Sequence, residues 1–165
     1  MRRARLALHL GVSRFGWPIE ARGDGPQGEA LRPRYVDGRQ MLAGLGIDIV
    51  EVRRMERELR RGDAGLCGAV FTPGEIAGAA RARCAAIGLA RCFAAKEALF
   101  KALGRAWQGG LCWHGVELCD GGESGPRLSL SGEVRQAADR LGVRRLHVSV
   151  SHTELLAMAS VVLET

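Results

Sequence analysis

The chain has 165 residues, of which 47% are apolar and 25% are charged, so its composition is that of an ordinary globular protein. This excludes an intrinsically disordered chain, and the length suits one domain with an appendage. No apolar run approaches the roughly 18 residues that a membrane-spanning helix needs, so we expect no membrane partner. The five cysteines contain no C-x-x-C pair. We therefore expect no structural zinc and no complete disulfide framework, but reduced thiols in a cytoplasmic protein.

Most of the net charge of +6 falls in the first quarter of the chain. Residues 1–40 hold eight arginines against four acidic residues, together with three prolines and six glycines, and show no sustained apolar period. We predict a flexible N-terminal extension over 1–40 and one folded domain over 41–165. The apolar run from Leu6 to Val12 is too short for a signal peptide and no cleavage site follows it. Met41 stands directly before the first predicted strand and is a candidate alternative translation start.

The secondary structure of the domain can be predicted in chain order. An apolar, β-branched run predicts a strand over Leu42–Val52, and the charged residues 53–61 predict a helix. Thr72 followed by Pro73 is typical of a helix start. A proline-free stretch rich in Ala and Leu predicts a long helix over Arg81–Leu103, closed by Gly104. The remaining candidates are strands at Val116–Cys119, Arg127–Leu130, Leu146–Ser151 and Leu156–Leu163 and a helix at Glu133–Leu141. These elements predict an α+β fold, with one long helix packed on a mainly antiparallel sheet.

Three residues of the long helix, Phe93, Glu97 and Lys101, are four positions apart and so share one face. Glu97 precedes Lys101 in the order that favours a helical ion pair, so a solvated surface pair is the simplest interpretation of the helix alone. The chain has 24 basic residues, and Lys96 and Lys101 are its two lysines. Their presence in one short segment singles out this helix, because lysine and arginine are not interchangeable at a binding site.

Asp48 lies within the apolar run of the first predicted strand. Because an unpaired buried carboxylate is strongly unfavourable, Asp48 must face solvent or meet a cation. If this strand lies beside the long helix, Asp48 and Glu97 would converge as two oxygen ligands of Mg²⁺, leaving the other positions to water and substrate phosphates. Lys101, one turn further, would neutralise phosphate charge. Together these residues predict a phosphoryl-transfer site.

The segment from His147 to Thr153 alternates with the period of a strand and ends in a polar turn. Ser149, Ser151 and Thr153 share one face, whereas His147 and His152 point to opposite faces. A serine hydrolase would need a nucleophile elbow such as G-x-S-x-G and an orienting acid, and neither stands near Ser149 or Ser151. The pattern therefore does not favour a Ser/His hydrolase.

Four segments, Gly46–Arg54, Phe71–Glu75, Arg91–Gly104 and Val148–Thr153, stand in an order and spacing that resembles a known family. This family is the holo-acyl-carrier-protein synthases, the small bacterial 4′-phosphopantetheinyl transferases. The first segment is similar to the family pattern G-[IV]-D-[IV]-x-x-[IV]-x-R and the second to F-T-x-x-E. The third matches R-x-F-A-A-K-E-A-x-x-K-A-x-G without a break, and the last matches [VI]-S-[VIL]-[ST]-H-[TD]. The resemblance covers residues 43–164 and implies the phosphopantetheinyl transferase fold.

The resemblance implies transfer of 4′-phosphopantetheine from coenzyme A to a serine of an apo acyl carrier protein, with Mg²⁺ and release of 3′,5′-ADP. The carrier would be one of fatty acid biosynthesis or of polyketide synthesis. It makes Asp48, Glu97 and Lys101 the catalytic residues, the two carboxylates binding the metal and the lysine the phosphates. The proton of the attacking serine would pass to Glu97 or to a water that it holds. The residues that the resemblance assigns to the coenzyme A site are Lys101, Ser151, His152 and Thr153. Lys96, on the neighbouring stripe of the helix, is a further candidate for this site, and a surface ion pair is the alternative role for it.

Docking of the carrier protein concerns the predicted helix after Asp48. Acyl carrier proteins are small and acidic, and Arg53, Arg57, Arg60 and Arg61 share one face of this helix, which taken alone is also typical of a solvated surface. Arg54 and Arg61 match basic positions that the family uses to bind its carrier, so the resemblance implies a docking role for both. It also implies a homotrimer with active sites at the subunit interfaces.

The sequence departs from the family pattern in two places. After Gly104 the family continues into a Thr-Gly loop, whereas here Arg105-Ala-Trp-Gln-Gly-Gly110 follows, so we expect a loop of different shape on the pantetheine side. Residues 1–40 have no counterpart in the family.

Two other function classes can be weighed against this reading. A non-catalytic anion- or nucleic-acid-binding protein would use the basic residues, but aromatic residues are only 5% of the chain and no alternating basic and aromatic patch exists. A Mg²⁺-dependent nucleotide hydrolase would need a G-x-x-x-x-G-K-[ST] loop, which the sequence lacks. We therefore expect coenzyme A and an acyl carrier protein as partners, and no nucleic acid.

Overall fold

The computed structural model describes residues 41–61, 64–104 and 112–165, which belong to a compact unit spanning Asp37–Thr165. The predicted extension over 1–40 and the loop at 105–110 lie outside the described residues. The division of the chain into an extension and a domain therefore stays a prediction.

The described residues form an α+β fold, as predicted. The strands are β1 (Leu42–Glu51), β2 (Val116–Cys119), β3 (Arg127–Leu130), β4 (Arg145–His152) and β5 (Leu156–Glu164). The helices are α1 (Val52–Arg61), α2 (Ala64–Val70), α3 (Pro73–Arg81), α4 (Ala85–Ala102) and α5 (Gly132–Arg140). A 3₁₀ turn, Trp113–Gly115, leads into β2.

The main sheet has three antiparallel strands in the order β1, β5, β4, while β2 and β3 pair in a separate hairpin. Alternate residues of the central strand are fully buried and define the inner face of the sheet; they are Ala157, Ala159, Val161 and Leu163. Asp48 pairs with Ala159, and directly paired residues project from the same face. The register therefore places Asp48 on the inner face.

Helix α4 covers the inner face and approaches β1 very closely. A Cβ atom at Gly46 would lie 1.9 Å from the carbonyl oxygen of Ala98, and one at Gly44 would lie 2.0 Å from that of Ala102. Any larger residue at these positions would push the helix away from the strand, because protein interiors are closely packed. The two glycines of β1 thus bring α4 and β1 into direct backbone contact.

Two helices differ from the predictions by more than a one-residue shift at an end. The long helix begins at Ala85 rather than Arg81, because Ala82 adopts an extended conformation (φ −76°, ψ 157°) that closes α3. Alanine is a strong helix former, so its propensity alone did not reveal this break. The short helix α2 was not predicted, since its sequence contains two glycines. The start of α3 is as predicted, with Thr72 as its N-cap in a reciprocal capping box with Glu75.

On the outer face of the main sheet, β1 and the adjoining part of β5 carry exposed apolar side chains. Leu45, Ile47 and Ile49 of β1 are 56%, 51% and 58% exposed, and Met158 of β5 is 43% exposed. Contiguous apolar surface of this kind is characteristic of an interaction site rather than of a face in contact with water. None of the described helices has both the length and the apolar character that crossing a membrane requires.

Candidate active site

Asp48 and Lys101 form an ion pair at the contact between β1 and α4. The ammonium of Lys101 donates to Asp48 Oδ1 over 2.7 Å and to the carbonyl oxygen of Ile47 over 3.0 Å. The Asp48 side chain is mostly buried, whereas that of Lys101 is half exposed. The expectation that the first strand lies beside the long helix is correct, and it brings the predicted carboxylate and lysine together.

Glu97 lies close enough to this pair to interact with it electrostatically. Burial raises the pKa of its carboxyl to about 7, and the nearby negative charge of Asp48 acts in the same direction, against the opposing effects of Lys101 and Arg54. Burial also raises the pKa of Asp48, opposed by the hydrogen bond and charge of Lys101. Two partly buried carboxylates that repel each other form a site suited to a cation.

Arg54 belongs to this site as well as to the surface of α1. Its guanidinium lies 5.9 Å from the centre of the Phe93 ring, a cation–π distance. Its charge lowers the pKa of both Asp48 and Glu97. The site therefore has two carboxylates and two cations around the face of α4 that Phe93, Glu97 and Lys101 share.

The donor set fits Mg²⁺ better than a transition metal. Among the residues that the structure describes, no group of three or more His, Cys, Asp or Glu side chains is placed to hold a metal ion. Mg²⁺ commonly takes only one or two carboxylates from the protein, together with water and substrate phosphates. Asp48 and Glu97 could supply two hard oxygen ligands of this kind.

The structure corrects the prediction that Lys96 reaches coenzyme A. Its side chain is 0% exposed, and its ammonium bonds to Glu75 Oε2 at 2.7 Å and to the carbonyl oxygens of Val70 and Trp113 at 2.7 and 3.0 Å. All three N–H donors are used inside the protein. Because Lys96 precedes Glu97 by one residue, it projects about 100° away around the helix, and so points into the core.

Ser151 and His152 at the end of β4 and Thr153 in the turn after it are exposed. Ser151 pairs with Met158, on the outer face of the sheet, whereas Asp48 is on the inner face. Thr153 accepts hydrogen bonds from the backbone N–H groups of Leu155 and Leu156, which shapes the turn between β4 and β5. One copy of the chain therefore does not bring Ser151 to Asp48.

The arginines of α1 are arranged as the sequence predicted. Arg53, Arg57, Arg60 and Arg61 are exposed and Arg54 is partly exposed. Arg61 donates to Glu58 at 3.2 Å, an exposed pair of the kind that contributes little to stability. Arg54 and Arg61 are seven residues apart, or two helical turns, so they share a face of α1. Arg54 is at the end of this face near Asp48 and Glu97, and Arg61 is at the other end.

Sequence reasoning missed the role of Glu75. The Thr-Pro-Gly-Glu pattern predicted a helix start, and the carboxylate does bond to the backbone N–H of Thr72. The same carboxylate also holds Lys96, which is 21 residues further along the chain. The available signal was the presence of a lysine among the alanines of α4, in a chain that otherwise uses arginine.

A comparison with known protein families gives the assignment. The family model of the 4′-phosphopantetheinyl transferase superfamily matches residues 44–155. The chain belongs to this superfamily. It is 44% identical over 126 residues to the holo-[acyl-carrier-protein] synthase of Koribacter versatilis, covering 75% of this chain and 99% of that protein. The corresponding enzyme of Solibacter usitatus is 38% identical over 124 residues, covering 75% and 99%.

Solved structures of this transferase family have the same fold. The holo-[acyl-carrier-protein] synthase of Neisseria meningitidis superimposes with a TM-score of 0.68 at 28% identity, covering 76% of this chain and 100% of that one. The synthase of Bacillus anthracis, solved in complex with CoA (3′,5′-ADP), gives 0.62 at 30% identity, covering 76% and 98%. The synthase of Helicobacter pylori, solved with coenzyme A, gives 0.63 at 28% identity, covering 72% and 98%. The expected family and fold are thus confirmed.

Proposed function

We propose that this phosphopantetheinyl transferase is a holo-[acyl-carrier-protein] synthase that modifies an apo acyl carrier protein with the 4′-phosphopantetheine of coenzyme A. The observation that carries the proposal is the cluster of Asp48, Glu97 and Lys101 at the β1–α4 contact. All three residues belong to motifs that the chain shares with the family. We assign the activity to residues 41–165 and place it in the cytoplasm.

The reaction needs a nucleophile, a leaving group and a site for one proton. The hydroxyl oxygen of the carrier serine forms a bond to the phosphorus that bears pantetheine, and the bond from this phosphorus to the leaving 3′,5′-ADP breaks. The serine proton goes to Glu97 or to a water that Glu97 holds, because a carboxylate or a water beside the metal site can accept it. Lys101 offsets the negative charge of the phosphates.

We assign Asp48 and Glu97 as the ligands of a Mg²⁺ ion. When bound, this ion would stabilise charge on the pyrophosphate and the leaving group. The repulsion between the two carboxylates, which adds to the raised pKa of Glu97, supports the assignment, because a divalent cation would relieve it.

We propose that the enzyme is a homotrimer and that a neighbouring copy completes each site. Ser151 is on the opposite face of the sheet from Asp48, so both can line one coenzyme A site only if they come from different copies. The exposed apolar residues of β1 and β5 lie on the same outer face as Ser151 and supply a surface for this association. Ser151, His152 and Thr153 of one copy would then face Lys101 of another.

We assign Arg54 and Arg61 to docking of the acidic carrier. Both are on the face of α1 that leads to Glu97, and opposite charges on two surfaces guide association. Arg54 would act at the site itself and Arg61 at the far end of the helix.

The first prediction tests the function directly. The enzyme should convert an apo carrier to its holo form with coenzyme A and Mg²⁺, measured by the mass of the intact carrier. Asp48→Asn and Glu97→Gln should each lower kcat by at least about a hundredfold. Asp139→Asn, in an exposed pair on α5, should leave the rate unchanged. A wild-type chain that leaves the carrier unmodified, or either site variant with normal turnover, would contradict the proposal.

The second prediction concerns the Lys101–Asp48 pair. Because the ammonium holds Asp48 in the free protein, Lys101→Met should increase the affinity of the free protein for Mn²⁺ by roughly tenfold, while transfer is lost. Calorimetric titration measures the affinity and the mass assay the transfer. Arg135→Met breaks an ion pair of similar length far from the carboxylates and should change neither. Weaker metal binding by Lys101→Met would show that the lysine does not compete for Asp48.

The third prediction concerns assembly. Met158→Lys places a charge in the middle of the apolar outer face and should convert trimers to monomers that do not transfer phosphopantetheine, although every site residue of the chain is intact. Leu141→Lys is the matched control, since Leu141 is 44% exposed but lies at the end of α5. Light scattering after size exclusion reports the mass. An active wild-type monomer, or an active trimeric Met158→Lys variant, would contradict the proposed trimeric assembly.

The fourth prediction concerns carrier docking. Arg61→Glu should raise the KM for the carrier about tenfold, with the difference shrinking at high salt, and should leave the KM for coenzyme A unchanged. Arg140→Glu makes the same charge change on α5 and is the control. If Arg61→Glu weakens coenzyme A binding instead, the arginine belongs to the nucleotide site.

A further inference from the structure

The core of the enzyme contains an ion pair that the proposed chemistry does not use. Lys96 and Glu75 have side chains that are both 0% exposed, and their charged atoms are 2.7 Å apart. The lysine also bonds to the backbone carbonyls of Val70 and Trp113. It thus ties α4 to the end of α2, to the start of α3 and to the turn before β2.

The carboxylate of Glu75 is equally well satisfied. Oε2 accepts the backbone N–H of Thr72 at 2.9 Å as well as the lysine, and Oε1 accepts the backbone N–H of Leu118 in β2 at 2.9 Å. A buried pair with every donor used and both acceptor oxygens occupied is the kind that persists in a core, since a partly satisfied pair would be strongly unfavourable.

Buried ion pairs are weak evidence for stability, because apolar residues of similar volume often serve as well. The packing of α4 indicates a second role for Lys96, which is to fix the position of the helix. Half of the twelve buried residues of α4 are alanines, namely Ala86, Ala90, Ala94, Ala95, Ala98 and Ala102, and the large buried side chains are Leu89, Phe93, Lys96, Leu99 and Phe100. Alanines interdigitate little, so they resist rotation or sliding of a helix less than large side chains do. Hydrogen bonds, in contrast, are directional, so they fix both the rotation of the helix and its position along its axis.

We infer that Lys96 and Glu75 are positioning residues, which hold α4 in one rotation and register against β1 so that Glu97 stays beside Asp48. Lys96 is one residue before Glu97 on the same helix, so a rotation of the helix that moves one side chain moves the other as well. The catalytic part of this inference rests on the proposed function, whereas the structural part does not.

The test is a double variant, Glu75→Gln/Lys96→Met, which removes both charges and keeps the volume and one amide oxygen as acceptor. It should fold with the circular dichroism spectrum of the wild type. Amide hydrogen exchange in residues 97–102 should become at least tenfold faster, measured below the melting transition, while exchange in β5 changes little. In the transfer assay kcat should fall at least tenfold, with the KM for coenzyme A within about threefold of the wild type.

Thr72→Ala is the matched control. It removes the hydroxyl that caps the same helix α3 and should lower the melting temperature, but it leaves the ion pair in place and should alter neither kcat nor exchange in residues 97–102. If Thr72→Ala reproduces the kinetic loss, activity simply follows stability and the inference is wrong. If the double variant does not fold, Glu75→Gln alone decides, since it keeps Lys96 beside a neutral partner.

Three further results would overturn the inference, and they are separable from failure of the proposed function. Wild-type exchange in residues 97–102 of the folded variant would refute the structural part, whatever the chain catalyses. Faster exchange with unchanged kcat would refute the catalytic part. A kcat loss accompanied by an equal rise in the KM for coenzyme A would show a binding role instead. A wild-type chain that does not modify the carrier refutes the proposed function, and exchange then decides the positioning role alone.

Discussion

The direct backbone contact between α4 and β1 is the constraint on which the site depends. It exists because β1 has glycines where the carbonyl oxygens of Ala98 and Ala102 meet it. This contact brings a lysine of the helix within 2.7 Å of an aspartate of the strand and lets Glu97 sense the charge of Asp48. A side chain at Gly46 would separate the two elements. Both carboxylates would still be present, but their relative position would change.

The use of lysine at only two positions follows from what each ammonium must contact. Lys96 donates to a carboxylate and two carbonyl oxygens in three directions, which a compact tetrahedral ammonium can do and a planar guanidinium cannot. Lys101 fits between Asp48 and the backbone at Ile47, where its small head donates to both. At the exposed positions of α1, where reach and charge matter more than shape, the chain uses arginine.

Local patterns predicted the elements well, because each strand and most helices carry their own period and end signals. The same patterns predicted that Asp48, Glu97 and Lys101 would converge. A carboxylate within an apolar strand must face solvent or meet a cation, and the polar stripe of the long helix offered such a cation. Lys96 shows the limit. Nothing in its helical neighbourhood reveals that its partner is Glu75, because that contact depends on how α3 packs against α4. The sequence also did not predict which face of the sheet α4 covers. Strand alternation assigns residues to two faces, but it does not identify the face that packs against the helix.

The period of two residues in β1 couples the site to the apolar outer face. Gly44, Gly46 and Asp48 point inward, while Leu45, Ile47 and Ile49 point outward. A slip of one residue against β5 would bury the large apolar side chains under α4 and expose the aspartate. Such a slip is excluded, because the space beneath Ala98 and Ala102 does not admit even a Cβ atom. The glycines therefore fix the register of the strand as well as the approach of the helix. The same steric rule keeps the carboxylate on the inner face and the large apolar side chains of β1 exposed on the outer face.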